Sequence, residues 1–352
     1  MIELTREFIH SLPKAELHCH LDGSMRVETI MELAKDQNVK LPKNDVKQLT
    51  KYLQVSDNCE DLVEYLRAFD VTCSVLQTKA SLERSTYELA EDCAKENVRY
   101  LEIRFSPILH VKKGLTLTQV VDAVLQGKAK AEKDFDIIIG VIICSLRHTD
   151  PETSLTLAQL CVAYKNRGVV GFDLAGAEGG FPAKEHKEAF YLISNNNINT
   201  TVHAGEAYGP ESIHQAIHYI NANRIGHGTR LREDGDLLNY VNDHRIPLEM
   251  CITSNVQTKA VDSFTHHPVK FYYDYGIRVT LNTDNRLISN TTLTNEYMIA
   301  IEKYGFKPDD IKYLILDGFK SAFLPLNQKV KLIHRISKEM EEKGLIVRKD
   351  YI

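Results

Sequence analysis

Histidines and carboxylates stand at the ends of short apolar runs, where they can bind a metal ion and transfer protons. His18 and His20 end the run AELHCHL at 15–21. Because alternate residues of a strand point the same way, both imidazoles lie on one face. Four more such residues end later runs, and they are His203, Glu206, His227 and Asp284. We predict that these polar residues form one site rather than a set of unrelated strand ends.

The residue types favour a zinc ion with acid–base groups beside it. Three histidines and one carboxylate make a borderline ligand set that suits zinc. A catalytic zinc keeps one position open for water, and the reaction needs proton-transferring groups nearby. The possible ligands are His18, His20, His203 and Asp284. Glu206 and His227 remain free for proton transfer, which predicts a zinc-dependent hydrolase.

Eight apolar runs must position these residues. Most are apolar on both faces, as in the strands of a buried parallel sheet. They lie at 15–21, 98–105, 136–146, 169–176, 200–206, 224–228, 247–253 and 278–284. Segments with helical spacing, such as 81–97 and 154–168, separate them, and no glycine-rich phosphate loop follows any run. The pattern predicts an α/β protein with a (β/α)8 TIM barrel, whose active site lies at the carboxyl ends of the strands.

Helical segments also lie outside the regular alternation. The long stretch 22–97 contains DLVEYLRAFDVTCSVL at 61–76, whose apolar residues follow helical spacing. Two interpretations stay open for this segment, a helix packed on the barrel or a lid over its mouth. The chain from about 308 onward has the pattern of charged helices that close the fold. We predict a single domain, 1–352, with extra helices over the carboxyl-terminal mouth and at the C-terminus.

The composition is typical of a globular cytoplasmic enzyme. The chain has 352 residues and a net charge of -5, which gives no electrostatic reason to bind nucleic acid or a membrane surface. Its seven cysteines are scattered without C-x-x-C spacing, as in reduced intracellular proteins. Neither a signal peptide nor an apolar run of membrane-spanning length is recognisable. The oligomeric state is left open.

Seven short motifs extend over nearly the whole chain. They are ELHCHLDGS (16–24), EIRFSP (102–107), DLAGAE (173–178), TVHAGE (201–206), RIGHG (224–228), CITSN (251–255) and LNTDN (281–285). In order and spacing they resemble the adenosine deaminase family of the metal-dependent amidohydrolase superfamily. H-x-H alone marks the superfamily, whereas H-x-H-L-D-G with H-A-G-E and a late N-T-D is typical of adenosine and AMP deaminases.

The resemblance implies an activity and a cofactor. The expected reaction is hydrolysis of adenosine, or 2′-deoxyadenosine, to the inosine nucleoside and ammonia, with one zinc ion per chain. Zinc would be held by His18, His20, His203 and Asp284, and Asp284 also counts among the catalytic residues. Glu206 resembles the proton donor to purine N1. His227 resembles the residue that orients and deprotonates the zinc-bound water.

The resemblance also implies how a small-molecule purine nucleoside is bound. The backbone amide of Gly176 would meet purine N3, and the carboxylate of Asp22 would hold a ribose hydroxyl. His20 counts as a substrate contact as well as a ligand. The helix at 61–76 is similar to the hydrophobic gate of the family, which favours the lid interpretation. Its gate residues would be Leu62, Tyr65, Leu66 and Phe69.

Asn285 departs from the family pattern, which often has a second aspartate there, in contact with purine N7. N7 of neutral adenine is an acceptor, and an asparagine amide donates to it without an extra proton. We therefore expect the contact to survive. Two alternatives remain, a deaminase of adenine or a modified adenine nucleoside, and a non-catalytic adenosine-binding relative. Asp22 favours a nucleoside over the free base, and the retained Glu206 and His227 favour an enzyme.

Overall fold

Eight parallel strands pair in chain order, each with the next. The computed structural model describes residues 2–55 and 68–347. Within them the strands are Lys14–His20 (β1), Val98–Phe105 (β2), Ile138–Leu146 (β3), Val169–Ala175 (β4), Asn199–Ala204 (β5), Arg224–His227 (β6), Leu248–Met250 (β7) and Val279–Leu281 (β8). All eight predicted strands are confirmed. The prediction for 247–253 is wrong at its end, because a helix begins at Ile252.

The first and last strands close the sheet through the residues that carry the expected chemistry. Cys19 and Asp284 form a parallel bridge just beyond β8. The N–H of His20 donates to the carbonyl of Asp284 over 2.8 Å, and the N–H of Asp284 donates to the carbonyl of His18 over 2.8 Å. The predicted (β/α)8 barrel is therefore confirmed, and three of the predicted metal ligands are joined by backbone hydrogen bonds.

Helices surround the strands, and further helices precede the first strand and follow the last. Those of the described residues are Arg6–Ser11 (α1), Val27–Asp36 (α2), Val46–Leu53 (α3), Ala68–Val75 (α4), Lys79–Lys95 (α5), Leu117–Asp134 (α6), Pro151–Ala163 (α7), Lys187–Asn195 (α8), Pro210–His218 (α9), Gly235–Asp243 (α10), Ile252–Gln257 (α11), Val269–Tyr275 (α12), Leu293–Tyr304 (α13), Pro308–Ser321 (α14) and Leu326–Glu341 (α15). α14 and α15 are the helices predicted beyond residue 308. In the part of the chain that the structure describes, no helix is both long and apolar enough to cross a membrane.

Local sequence signals explain where the longer helices begin. The Thr78 hydroxyl accepts a hydrogen bond from the N–H of Ser81, and the Ser81 hydroxyl accepts one from the N–H of Thr78, so the two residues form a capping box at the start of α5. Thr116 and Gln119 do the same for α6. The strands between the helices are buried on both faces, so β3 is exposed only at Ile138.

Charged side chains fill part of the barrel interior. Arg224 on β6 pairs with Glu102 on β2, and its Nε lies 2.6 Å from Oε1 of Glu249 on β7. Its guanidinium lies 3.5 Å from the centre of the Phe323 ring. These groups are buried, so their pairing offsets the cost of removing charge from water. They form an ionic layer beneath the carboxyl-terminal mouth.

The segment predicted as a helix at 61–76 is described only in part. Leu62, Tyr65 and Leu66 lie outside the described residues. Phe69 lies on α4, is partly buried and packs against the hydrophobic core. Sγ of Cys73 on the same helix donates to Oδ2 of Asp22 over 3.7 Å, which joins the helix to the loop after β1. The gate role remains a prediction.

Candidate metal centre and active site

The four predicted metal ligands come together at the carboxyl-terminal mouth of the barrel. One ligand atom from each of His18, His20, His203 and Asp284 lies within 4.8 Å of the others. Nε2 of His20 lies 3.1 Å from Nε2 of His203. Oδ1 of Asp284 lies 3.5 Å from Nε2 of His18 and 3.4 Å from Nε2 of His20. These residues lie on β1, on β5 and beyond β8, so the barrel itself assembles the cluster.

The cluster fits a metal ion. Nε2 of His18 is fully buried and, among the described residues, has no hydrogen-bond partner. A buried polar nitrogen normally has a partner, and a metal ion would supply one here. Imidazole nitrogens and one carboxylate oxygen are the donors that zinc accepts. The donor set and the unpaired nitrogen therefore both support metal binding.

Buried partners fix the orientation of three of the four ligands. Nδ1 of His18 lies 2.8 Å from Oε2 of Glu249, and Nδ1 of His203 lies 3.2 Å from Oδ1 of Asp173. Ser254 Oγ donates to Oδ2 of Asp284 over 2.6 Å. Such contacts turn these ligands toward the metal and set the imidazole tautomer, because a nitrogen that faces a carboxylate keeps its proton. Nε2 of both histidines is thereby left to bind the ion.

Arg104 holds the two supporting carboxylates in their charged form. Its Nη1 lies 3.2 Å from Oδ2 of Asp173, and its Nη2 lies 2.8 Å from Oε2 of Glu249. Burial would raise the pKa of Asp173, but its contacts with His203 and with the charged Arg104 hold it below its ordinary value. Burial acts likewise on Glu249, whose pKa is held far below its usual range by Arg104 and Arg224. Both carboxylates therefore stay ionised beneath the cluster.

Asp173, Glu249, Ser254 and Arg104 are absent from the set of residues predicted from the sequence. Three of them are charged residues inside otherwise apolar strands, which is a recognisable signal because a buried charge needs a partner. Their pairing was not predictable, since His18 and Glu249 are 231 positions apart. Ser254 lies on α11, where the sequence predicted the end of a strand.

Glu206 and His227 face each other beside the cluster. Oε2 of Glu206 lies 3.5 Å from Nε2 of His227, and both side chains are buried. The His227 ring centre lies 4.8 Å from that of His18 and 5.2 Å from that of His203. Burial, and then the charge of Asp284, raises the pKa of Glu206 to about 8. The Glu206 carboxyl is therefore protonated at neutral pH, as a proton donor must be.

Two of these residues have a left-handed backbone. φ is 64° at His227 and 60° at Asp284. Non-glycine residues adopt this region rarely and at some cost in free energy, and they are found in it at functional sites. Both residues lie at the barrel mouth, His227 as the last residue of β6 and Asp284 in the loop after β8.

Glu178 positions the loop that carries Glu206. Its carboxylate follows β4 and is buried. Oε1 accepts the backbone N–H of Gly205 over 2.7 Å. Oε2 accepts three more, from Glu206 at 3.0 Å, Ala207 at 2.6 Å and Tyr208 at 3.0 Å. A single side chain thus satisfies four consecutive backbone donors. Its position in the motif DLAGAE was visible in the sequence, but this function was not predicted.

Three of the predicted substrate-binding residues, Asp22, Gly176 and Asn285, lie on the same rim. Asp22 follows β1 and is buried, which raises the pKa of its carboxyl to about 6. Gly176 follows β4 with φ of 89°, a conformation that suits glycine. Asn285 is buried against Gly23, so closely that a Cβ on Gly23 would lie 1.8 Å from Oδ1 of Asn285. The rim therefore brings the predicted ribose, N3 and N7 contacts to the barrel mouth that also holds the metal ligands.

The chain has a parallel eight-stranded barrel, a histidine–carboxylate cluster at its carboxyl-terminal mouth and a buried glutamate beside that cluster. This combination is typical of hydrolases of the amidohydrolase type. Residues 13–339 match the family model described as adenosine deaminase. The chain belongs to the adenosine deaminase family and is a hydrolytic deaminase.

Individual relatives agree with this assignment. The chain is 46% identical over 330 residues to a probable adenosine deaminase of Dictyostelium discoideum, a match that covers 94% of this chain but only 43% of that protein. It is 42% identical to an adenosine deaminase of Clostridium acetobutylicum, over 94% of this chain and 99% of that one. The solved adenine deaminase of Arthrobacter aurescens matches with a TM-score of 0.87 at 26% identity, over 94% of this chain and 99% of that chain.

Proposed function

We propose that this chain catalyses the zinc-dependent hydrolysis of adenosine and 2′-deoxyadenosine at C6 of the purine. The observation that carries the proposal is a buried Glu206, whose pKa burial raises to about 8, beside a cluster of four residues that could hold a metal ion. Hydrolytic deamination needs an activated water at C6 and a proton at N1 at the same time. This pairing of groups supports both requirements in one pocket.

A bound metal ion would generate the nucleophile from water. Zinc, when bound, would lower the pKa of a water molecule to about 7 and so supply hydroxide at neutral pH. We propose one zinc ion per chain, held by His18, His20, His203 and Asp284. The ionised carboxylates of Asp173 and Glu249 would balance the positive charge of the ion, because they hydrogen-bond two of its histidine ligands.

The proton donor is Glu206. As the oxygen of water bonds to C6, electron density moves onto N1, and a proton from Glu206 neutralises it. A donor placed in this way accelerates such a step by about 10²- to 10⁴-fold. A proton then moves from the C6 oxygen to the amino group, the C6–N bond breaks and ammonia leaves. The inosine nucleoside keeps its proton on N1, and Glu206 regains one from solvent. The pKa of Glu206, raised to about 8, keeps that proton available at neutral pH.

Contacts on the rim would hold the nucleoside. We propose that the amide of Gly176 donates to N3, the amide of Asn285 donates to N7 and the carboxyl of Asp22 holds a ribose hydroxyl, with His20 also against the substrate. Phe69 would belong to a hydrophobic cover together with Leu62, Tyr65 and Leu66. Asp22 and Asn285 are both buried, so each would recognise substrate away from bulk water, where a hydrogen bond is stronger.

A substrate panel tests the proposal. Adenosine, 2′-deoxyadenosine, adenine, AMP and N6-methyl analogues are each incubated with the zinc-loaded protein, and loss of absorbance near the adenine maximum is followed. Adenosine should have the highest kcat/KM of the panel. A panel without adenosine turnover, at full zinc loading, would contradict the assignment.

Adenine is the second candidate substrate, because an adenine deaminase shares the fold at 26% identity. Asp22→Ala separates the two candidates, since only the nucleoside has a ribose for Asp22 to bind. Its kcat/KM should fall far more for adenosine than for adenine. The exposed Asp70 on α4 provides the matched control, and Asp70→Ala should change neither. Equal losses for both substrates would remove the case for ribose recognition.

Three further expectations stay predictions. They are a single domain over 1–352, a cytoplasmic location, and a small-molecule substrate without nucleic-acid or membrane partners. Limited proteolysis tests the first, because a single domain should give no pair of stable fragments. Cell fractionation tests the second.

A further inference from the structure

A chain of hydrogen bonds leads from the backbone of α12 to Nδ1 of His227. The N–H of Val269 donates to Nδ1 of His267 over 3.2 Å. Nε2 of His267 lies 3.2 Å from Oδ1 of Asn255, and Nδ2 of Asn255 lies 2.9 Å from Nδ1 of His227. The side chains of Asn255, His267 and His227 are all buried. Water therefore has little access to supply alternative partners.

The direction of each hydrogen bond in this series follows from the first one, between the N–H of Val269 and His267. A backbone N–H can only donate, so Nδ1 of His267 must be an unprotonated acceptor. Burial lowers the pKa of His267 to about 3, so the ring is neutral and its one proton lies on Nε2. That proton is donated to Oδ1 of Asn255, which turns the NH2 group of Asn255 toward His227. Nδ1 of His227 thus accepts a hydrogen bond, and the proton of the neutral ring lies on Nε2.

The direction of the first hydrogen bond is fixed because it satisfies a backbone N–H group at the start of a helix. Val269 is the first residue of α12, and the first N–H groups of a helix have no partner within the helix. His267 supplies that partner. In the reversed arrangement of hydrogen bonds the proton of His267 would lie on Nδ1, which would leave the N–H of Val269 without an acceptor and would place two N–H groups against each other. Both changes cost free energy in a buried environment.

We propose that Asn255 and His267 are positioning residues that hold His227 as the tautomer protonated on Nε2, so that the ring donates a hydrogen bond into the active site. This inference rests on the proposed function and refines it. The family resemblance implies that His227 removes a proton from water, but a ring with its proton on Nε2 has no free lone pair there. His227 would therefore orient the attacking hydroxide as a hydrogen-bond donor, and the proton that water loses on binding zinc would go to solvent.

Nuclear magnetic resonance reads the tautomer directly and needs no turnover. The zinc-loaded protein is labelled with ¹⁵N-histidine, and long-range ¹H–¹⁵N spectra distinguish protonated from unprotonated ring nitrogens. The His227 signals are assigned by their loss in His227→Gln. Nε2 of His227 should carry the proton and Nδ1 should not. A proton on Nδ1 would overturn the proposal, whether or not adenosine proves to be the substrate.

Asn255→Asp reverses the tautomer with almost no change in shape. A carboxylate accepts hydrogen bonds on both sides, so it keeps the bond from His267 and places the proton of His227 on Nδ1. We expect kcat to fall by about 10²-fold or more, since the wrong histidine tautomer costs about 10⁴-fold in a catalytic triad. KM and zinc content should remain close to wild type. If His227 removes the proton instead, the same variant would keep or increase kcat, and the proposal would fail.

Substitution of His267 provides a rescue test. Gln at this position has an NH2 group that can donate to Oδ1 of Asn255, whereas Ala has none. His267→Gln should therefore retain more kcat than His267→Ala, with equal zinc content. The adjacent His266 is the matched control, because its side chain is 64% exposed, and His266→Ala should match wild type. Equal losses for the two His267 variants would show that the ring serves packing alone.

Discussion

Replacement of Glu178 by glutamine tests how the proton donor is held in place. The carboxylate accepts the four backbone N–H groups of residues 205–208. A glutamine amide has one oxygen, so in Glu178→Gln the NH2 group must face an N–H group at the other position. At least one charge-assisted hydrogen bond is lost, which costs about 1.5–3 kcal/mol. The loop that carries Glu206 should then shift from its position.

The size of the effect on stability follows from the length of the chain. Unfolding entropy is about 2.1 cal/mol/K per residue, so 352 residues give about 0.7 kcal/mol/K. A loss of about 1.5–3 kcal/mol therefore lowers Tm by about 2–4 °C. The effect on catalysis should be larger, because a displacement of about 1 Å at a reacting group can cost about 10²-fold in rate.

Two measurements check this prediction on the zinc-loaded protein. Thermal unfolding followed by circular dichroism gives Tm, and adenosine turnover over a range of pH gives kcat. The alkaline limb of the pH profile should also move to lower pH, because the charge of Glu178 contributes to the raised pKa of Glu206. Glu185→Gln, at an exposed position, is the control. If Glu178→Gln keeps the wild-type Tm and kcat, the carboxylate does not hold the loop.

Three further outcomes are expected. Burial raises the pKa of Glu206 to about 8, so its carboxyl loses the catalytic proton above that pH. The kcat should therefore decline as pH rises through about 8, and a flat pH profile would contradict the role of Glu206 as proton donor. Gly23→Ala brings a Cβ to 1.8 Å from Oδ1 of Asn285, an overpacking that should cost about 1–3 kcal/mol of folding stability and displace Asn285, so Tm and kcat/KM should both fall. Gly179→Ala meets no neighbour and should change neither. His203→Ala should lose bound zinc on dialysis, measured by atomic emission, whereas retained zinc would place the metal elsewhere.

The barrel and the metal cluster were predictable because both depend on local pattern and on topology. Eight apolar runs predict parallel strands, and the carboxyl ends of such strands meet at one mouth. His20 and His203 could therefore be placed together although 183 positions separate them. The seventh strand was drawn too long, because CITSN continues the apolar run but begins a helix.

The supporting contacts were not predictable from the sequence. Glu249 contacts His18, Arg104 and Arg224, and each pair depends on side-chain direction inside the closed barrel. A charged residue in an apolar strand indicates that a buried partner exists, but the sequence does not identify that partner. The bonds from Asn255 to His227 and His267 are harder still to foresee, because an asparagine in a loop motif has many ordinary roles.

The left-handed backbone at His227 and Asp284 has a consequence for protein engineering. Glycine adopts this conformation freely, whereas another residue held in a sparsely populated backbone region costs about 1–3 kcal/mol. A screen for heat resistance alone would therefore favour glycine at either position wherever the relief of backbone strain exceeds the loss of the buried contacts to Ser254 and Asn255, and the resulting proteins would be inactive. Libraries designed to increase the thermal stability of this enzyme should keep His227 and Asp284 unchanged and should be screened for turnover as well as for stability.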